Sequence, residues 1–228
     1  ALEPPLGKLG YGTLLATSNN TLEDEIRVLE LFRSRQVDGM LIYPTSPQHI
    51  EHIRPLREAN YPVVLLINDP AGTIDSVSMD DRLGAEKATS HLISLGHSRI
   101  GILDGADPNR NRDKQNGYRE ALEKHGLTFD PALCADPVGP TSHDGYRAMD
   151  RLMQSSTPPT AVFASTDTLA FGALKWAMER NLDVPGDVAI IGFDDIEFAE
   201  FSAIPLSSVA YEADTVAEKA IERLMALI

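Results

Sequence analysis

Apolar residues in this chain come in short aliphatic runs, separated by longer stretches in which they recur every three or four positions. The runs fall at residues 13–17, 39–43, 63–67, 76–79, 99–103, 161–165 and 188–193, and their length and composition suit buried strands. Between them the spacing predicts helices at about 20–35, 47–59, 81–95, 112–125, 143–155, 168–181 and 211–227. The clearest begins at Asn20 or Thr21. Glu23, Asp24 and Glu25 fill its first turn, Leu22, Ile26, Leu29 and Phe32 share a face, and Arg33 and Arg35 close it, so capping and helix dipole agree. Gly96 and Gly126 stand where helices should stop. Strand then helix, repeated, means a parallel sheet with right-handed crossovers.

Seven or more parallel strands of one phase fit poorly into a single sheet of this length, whereas two lobes accommodate them. After Asp195 the chain runs irregularly through Phe198 and Phe201 to Pro205, and an extended stretch at 206–210 leads into the terminal amphipathic helix. Such a strand can carry the chain back to the first lobe. The predicted fold is therefore α/β, with two Rossmann-like lobes: residues 1–80 plus 211–228, and residues 81–210. Two runs end in carboxylates, at Asp167 and at Asp194-Asp195. Open α/β sheets bind ligands outside the carboxyl ends of their strands, so function is expected at these tips, above all at Phe193-Asp194-Asp195.

Composition narrows the classes. With 228 residues and 43% apolar content the chain can bury a core, which excludes disorder. Its 20 basic and 34 acidic residues give −14, the wrong sign for a surface that must neutralise DNA phosphates. Any nucleic-acid contact would have to come from another segment. Cys134 is the single cysteine, so no internal disulfide or cysteine metal cluster can form, and it reads as a buried, inert thiol. No stretch is long and apolar enough to cross a membrane. Phosphate loop, dinucleotide fingerprint and nucleophile elbow are all missing. His49 and His52, three apart, could in principle hold a metal, but they lack an assigned third ligand and read as a solvated face. His97 is expected to hydrogen-bond backbone at a helix-to-strand turn. An enzyme using Asp80 and Asp194 as a carboxylate pair would lack a nucleophile and base at motif spacing. Neither cofactor nor metal is predicted.

Seven segments recur in one familiar order: Asp38-Gly-Met-Leu-Ile-Tyr-Pro44, Ser76-Val-Ser-Met-Asp-Asp-Arg-Leu-Gly-Ala85, His91-Leu-Ile-Ser-Leu-Gly-His-Ser-Arg-Ile100, Gly117-Tyr-Arg-Glu-Ala-Leu122, Pro159-Thr-Ala-Val-Phe163, Asp167-Thr-Leu-Ala-Phe-Gly172 and Ile191-Gly-Phe-Asp-Asp195. The chain resembles the effector-binding core of a LacI/GalR-type transcriptional regulator. The resemblance implies a periplasmic-binding-protein-like fold, a small-molecule site between two lobes, and a homodimer. It also implies a cytoplasmic regulator, without membrane association, that reaches operator DNA only through an N-terminal helix-turn-helix domain absent from this chain. Residues 1–11 resemble only the end of the family's opening helix, so the family's first strand, and at the far end its last, are expected to be missing. A periplasmic sugar-binding protein of a transporter shares the fold and is the alternative. Pro205-Leu-Ser-Ser-Val209 resembles regulators more.

Carried over residue by residue, the resemblance implies an effector site at the strand tips, for a sugar or a nucleoside-like ligand. Asp194 would accept paired hydroxyl or ring N–H donors, and Asp195 would cap the following turn. Lys114 stands where an arginine is usual and cannot reproduce its planar fork; Arg110 or Arg112 on the same loop could supply the guanidinium. Thr166 would hydrogen-bond ligand, with Asp167 capping the next helix, while Asp80 is either ligand-proximal or a helix cap. Tyr43 and Asn68 end strands of the first lobe. Pro140 replaces an aromatic stacking residue, which argues for a saccharide over a flat purine. Phe198, Phe201 and Trp176 are either core or dimer interface.

Overall fold

The structure, a computed structural model, describes residues 2–46, 48–69, 71–105 and 112–228. Its elements are α1 (Glu3–Lys8), α2 (Leu22–Ser34), β1 (Met40–Ile42), α3 (Arg54–Glu58), β2 (Val63–Leu65), α4 (Asp81–Ser94), β3 (Ile100–Leu103) and α5 (Asp113–Lys124). There follow β4 (Cys134–Ala135), α6 (Ser142–Met153), β5 (Ala161–Ala164), α7 (Asp167–Glu179), β6 (Ala189–Phe193), α8 (Phe198–Phe201), β7 (Ser207–Val209) and α9 (Ala213–Met225). They form two compact units, Ala1–Met79 with Glu212–Ile228, and Asp80–Tyr211.

In the first unit, Thr21 starts α2 by accepting the Asp24 N–H, with Glu23, Asp24 and Glu25 at the positive end of the helix dipole. β1 and β2 pair in parallel, Met40 opposite Val63 and Ile42 opposite Leu65. Leu29, Met40, Ile42, Ile53, Val63 and Leu65 build the core around them. α9 seals one side, so closely that a Cβ on Gly39 would lie 2.9 Å from the Leu224 side chain.

Three expectations change in this unit. Residues 13–17 form no strand, and Leu14 and Leu15 are 58% and 90% exposed. A cavity of about 960 Å³ lined by this segment, α2, β1 and α9 lies alongside, so the segment finds no ladder partner to hold it extended. Residues 76–79 supply a single parallel bridge, Ser76 to Leu65. The helix expected at 47–59 is confined to Arg54–Glu58, because Pro55 suits a first turn and would break an interior.

The second unit carries a five-stranded parallel sheet in the order β4-β3-β5-β6-β7. Strand order reverses direction between β3 and β5, the switch point of a doubly wound sheet. One face packs Ala85, Leu92, Tyr118, Phe163, Ile191 and Phe193 beneath α4 and α5. The other packs Met149, Leu152, Val162, Leu169, Leu174 and Trp176 beneath α6 and α7. Backbones meet closely: a Cβ on Gly117 would lie 2.0 Å from the Arg82 carbonyl oxygen, and one on Gly172 2.0 Å from that of Ser142.

β4 is too short to announce itself in the sequence. The extended stretch after Pro205, expected to carry the chain back to the first lobe, pairs as β7 with β6, Ile191 opposite Ser207. The crossing comes only after it. Trp176 is 5% exposed and its indole N–H donates to Asp150 (2.7 Å), so it belongs to the unit's own core rather than to an interface. Phe198 and Phe201 on α8 are 71% and 72% exposed. Among the described residues no helix is long and apolar enough to cross a membrane.

Candidate effector site

Parallel strands deliver their carboxyl ends to one edge, and in the second unit that edge gathers charge. Asp194 follows β6 directly with φ at 103°, and Asp195 follows at 49°, both in the left-handed region that strains an L residue. Several bonds hold the turn there. The Asp194 N–H donates to the Val209 carbonyl (3.0 Å) and the Asp195 N–H to Ser208 Oγ (3.0 Å). Ser208 Oγ donates to Asp167 Oδ1 (2.6 Å), and Asp167 Oδ2 accepts the Ile196 N–H (2.9 Å).

The fully buried Asp167 is thus a clamp on the turn after β6. From sequence alone it is expected to cap the next helix. The cap of α7 is Thr166, whose Oγ1 accepts the Leu169 N–H (3.3 Å) and keeps its own O–H as a donor. Asp80 likewise caps α4, its Oδ1 accepting the Leu83 N–H (2.9 Å), which favours the cap over the ligand-proximal reading.

Lys114 reaches in from the first turn of α5. Its Nζ donates to the Ser165 carbonyl (2.9 Å), lies 3.7 Å from the Phe193 ring centroid, and stands 3.9 Å from Oδ1 of both Asp194 and Asp81. Burial pushes the Asp194 carboxyl up to about 6; Lys114 opposes this, and Asp167 and Asp81 add to it. Burial also raises Asp81, against Lys114 and with Asp113 and Asp80. Asp81 Oδ1 is buried without a hydrogen-bond partner. The sequence reading missed Asp81, whose only signal is its place beside Asp80.

Arg112 and Pro140 are exposed, and Arg110 lies outside the described residues. Burial pushes the Cys134 thiol up to about 11, in keeping with an unreactive group.

At the corresponding edge of the first unit, Tyr43 follows β1 and is 74% exposed, and Asn68, three residues beyond β2, is exposed. The polar groups behind them are satisfied internally. Asp69 accepts the N–H groups of Ala71, Thr73 and Ile74 and the Thr73 hydroxyl (2.8–3.0 Å). Burial pushes its carboxyl up, but these bonds outweigh burial and hold it below the ordinary range. Glu25, also buried, accepts the Thr45 N–H (2.6 Å) and lies 2.6 Å from His52 Nε2, so His52 has a carboxylate partner and is no solvated residue. The described residues hold no group of three metal-ligating side chains. His97 bonds a side chain, Thr160 Oγ1 (2.9 Å), rather than backbone.

Comparison with known proteins agrees with this architecture. Residues 89–228 match the model of the periplasmic binding protein-like domain family. The chain is 31% identical over 222 residues to catabolite control protein A of Priestia megaterium, covering 94% of this chain and 66% of that protein. It is 31% identical over 219 residues to the HTH-type transcriptional repressor CytR of Escherichia coli K12, covering 95% and 63%. The chain thus spans just under two thirds of the length of these relatives. A solved sugar-binding transcriptional regulator of the LacI family from Escherichia coli, complexed with phosphate, superposes with a TM-score of 0.82 at 28% identity, over 97% of this chain and 80% of that one. On its fold, its sequence and these likenesses, the chain belongs to the periplasmic binding protein-like domain family, as a LacI-type effector-binding core.

Proposed function

We propose that this chain is the sensing part of a transcriptional regulator, and that a small polar effector, a sugar, binds at the carboxyl edge of the second unit's sheet with Asp194 as principal acceptor. The observation that carries this reading is the state of Asp194. Its carboxylate is half-buried, receives no hydrogen bond among the described residues, and sits on a strained turn clamped by Asp167. A desolvated acceptor without donors costs stability unless a ligand supplies them, and strain persists where function needs its geometry. Two oxygens on a fixed strand end suit vicinal hydroxyls, and Lys114 has N–H donors left for a further oxygen.

Arg112, just before α5, and Pro140, just before α6, are proposed as further contacts within the second unit. The sugar-binding regulator among the similar structures supports a saccharide, and the repressor among the relatives favours regulation over transport. In the intact regulator, DNA is read by a helix-turn-helix domain outside these residues, two copies associate through the exposed Phe198 and Phe201, and effector shifts operator affinity by binding one arrangement of the protein better than another. The test is Asp194→Ala in the intact protein. Effector affinity should fall about tenfold or more, and effector-dependent operator binding should fall with it. Unchanged affinity contradicts the assignment.

A further inference from the structure

Lys114 is shared between two carboxylates. Its Nζ is equidistant, at 3.9 Å, from Asp81 Oδ1 and Asp194 Oδ1, outside direct hydrogen-bond reach of either, while one donor is committed to the Ser165 carbonyl. One positive charge therefore faces two negative ones in a poorly solvated place. Asp81 is not needed as a helix cap, because Asp80 fills that role. Its neighbour Arg82 is bound to Glu120 and offers it no compensation. Oδ1 of Asp81 remains buried and without a hydrogen bond, an arrangement that costs stability. Asp80 and Asp113 add negative potential at Asp81, and Asp167 adds it at Asp194.

We infer that Asp81 sets the charge selectivity of this site: by sharing the ammonium of Lys114 with Asp194 it leaves that half-buried group no charge to spare, while the exposed Arg112 is screened by solvent, so the site takes an uncharged polyhydroxyl ligand and rejects the same ligand carrying a phosphate. The inference rests on the effector reading of Asp194. A neutral polyol donates hydroxyls to Asp194 and receives the remaining Lys114 N–H groups without displacing any charge. A phosphate ester brought to the same ammonium meets the fields of both carboxylates, and like charges held close in low dielectric discriminate strongly between partners.

The test uses matched pairs: glucose and glucose 6-phosphate, ribose and ribose 5-phosphate, fructose and fructose 6-phosphate, trehalose and trehalose 6-phosphate. Thermal unfolding finds the pairs that bind, and calorimetry measures both members against the wild type, Asp81→Asn and Asp81→Glu. The neutral member should bind the wild type at least about tenfold more tightly than its phosphate. Asp81→Asn should narrow that ratio by about tenfold, and Asp81→Glu, which keeps the charge, should preserve it. A purely structural role for Asp81 would weaken both members alike and leave the ratio unmoved, which overturns the inference. So does a wild type that prefers the phosphorylated member, a result that stands even if Asp81→Asn does not fold. If neutral binding persists in Asp194→Ala, or if no neutral sugar binds the wild type, the effector reading falls and this inference falls with it. Neutral binding that is lost in Asp194→Ala but shows no preference over the phosphate overturns the inference alone.

Discussion

Asp69 and Asp194 each follow the carboxyl end of a parallel strand, one in each unit, and their surroundings are opposite. Asp69 is wrapped by three backbone N–H groups and a hydroxyl, and its carboxyl is held below the ordinary range. The Asp194 carboxylate has a lysine 3.9 Å away and no hydrogen bond among the described residues, and is pushed up to about 6. A satisfied carboxylate is part of the scaffold. One left half-buried and wanting donors is what a ligand can complete, because the donors it brings recover a cost the fold already bears.

The two should therefore respond in opposite senses to loss of charge. Asp69→Ala leaves buried N–H groups without an acceptor and should destabilise the protein by about 3 kcal/mol, a fall of roughly 6–12 °C in Tm by calorimetry. Asp167→Ala tests the clamp that makes the Asp194 turn possible. It should cost about 2 kcal/mol and weaken effector binding together, since the Ile196 N–H and the Ser208 hydroxyl lose their acceptor. Asp194→Asn should instead raise stability at pH 7 by about 1 kcal/mol, allowing for screening at its exposed edge, while effector affinity falls. A loss of stability comparable to that of Asp69→Ala would erase the contrast.

Acid should separate the two as well. The folded-state carboxyl of Asp194 lies above its ordinary 3.8, so its ionisation opposes folding above about pH 6, and that penalty is relieved as pH falls from about 6 toward 3.8. Asp69 lies below 3.8, so its contribution is fully present above that value and is lost as pH falls through its lowered folded value. With Asp194 as the proposed acceptor, effector affinity should decline below about pH 6, approaching tenfold per pH unit, and the decline should be missing from Asp194→Asn.

Much of this was legible in the sequence because strand tips are legible. The runs ending at Phe193 and Ser165 are long and aliphatic enough to mark buried parallel strands, and the carboxylates after them could be placed at an edge. Lys114 could be placed beside them only through the family resemblance, since α5 opens without a side-chain cap. Contacts made across the sheet were not legible. Asp167 reads as a cap because caps precede helices, and only the pairing of β6 with β7 brings Ser208 to it. Asp81 looks like a second copy of Asp80 until α5 lays Lys114 alongside. Short elements failed for a related reason: β4 has two residues, and the apolar run at 13–17 borders a cavity rather than a neighbouring strand. Periodicity reports which way a side chain would face, not whether anything stands there to receive it.

The measurement that bears most directly on the account is thermal unfolding of the wild type and Asp194→Asn against the panel of neutral sugars. A sugar at about 100 times its dissociation constant adds roughly 2.7 kcal/mol, so the wild type should rise by roughly 5–10 °C with one class of sugar while Asp194→Asn, at about tenfold weaker affinity, rises by about half as much or less. An equal rise in both proteins would contradict the claim that the Asp194 edge holds the effector.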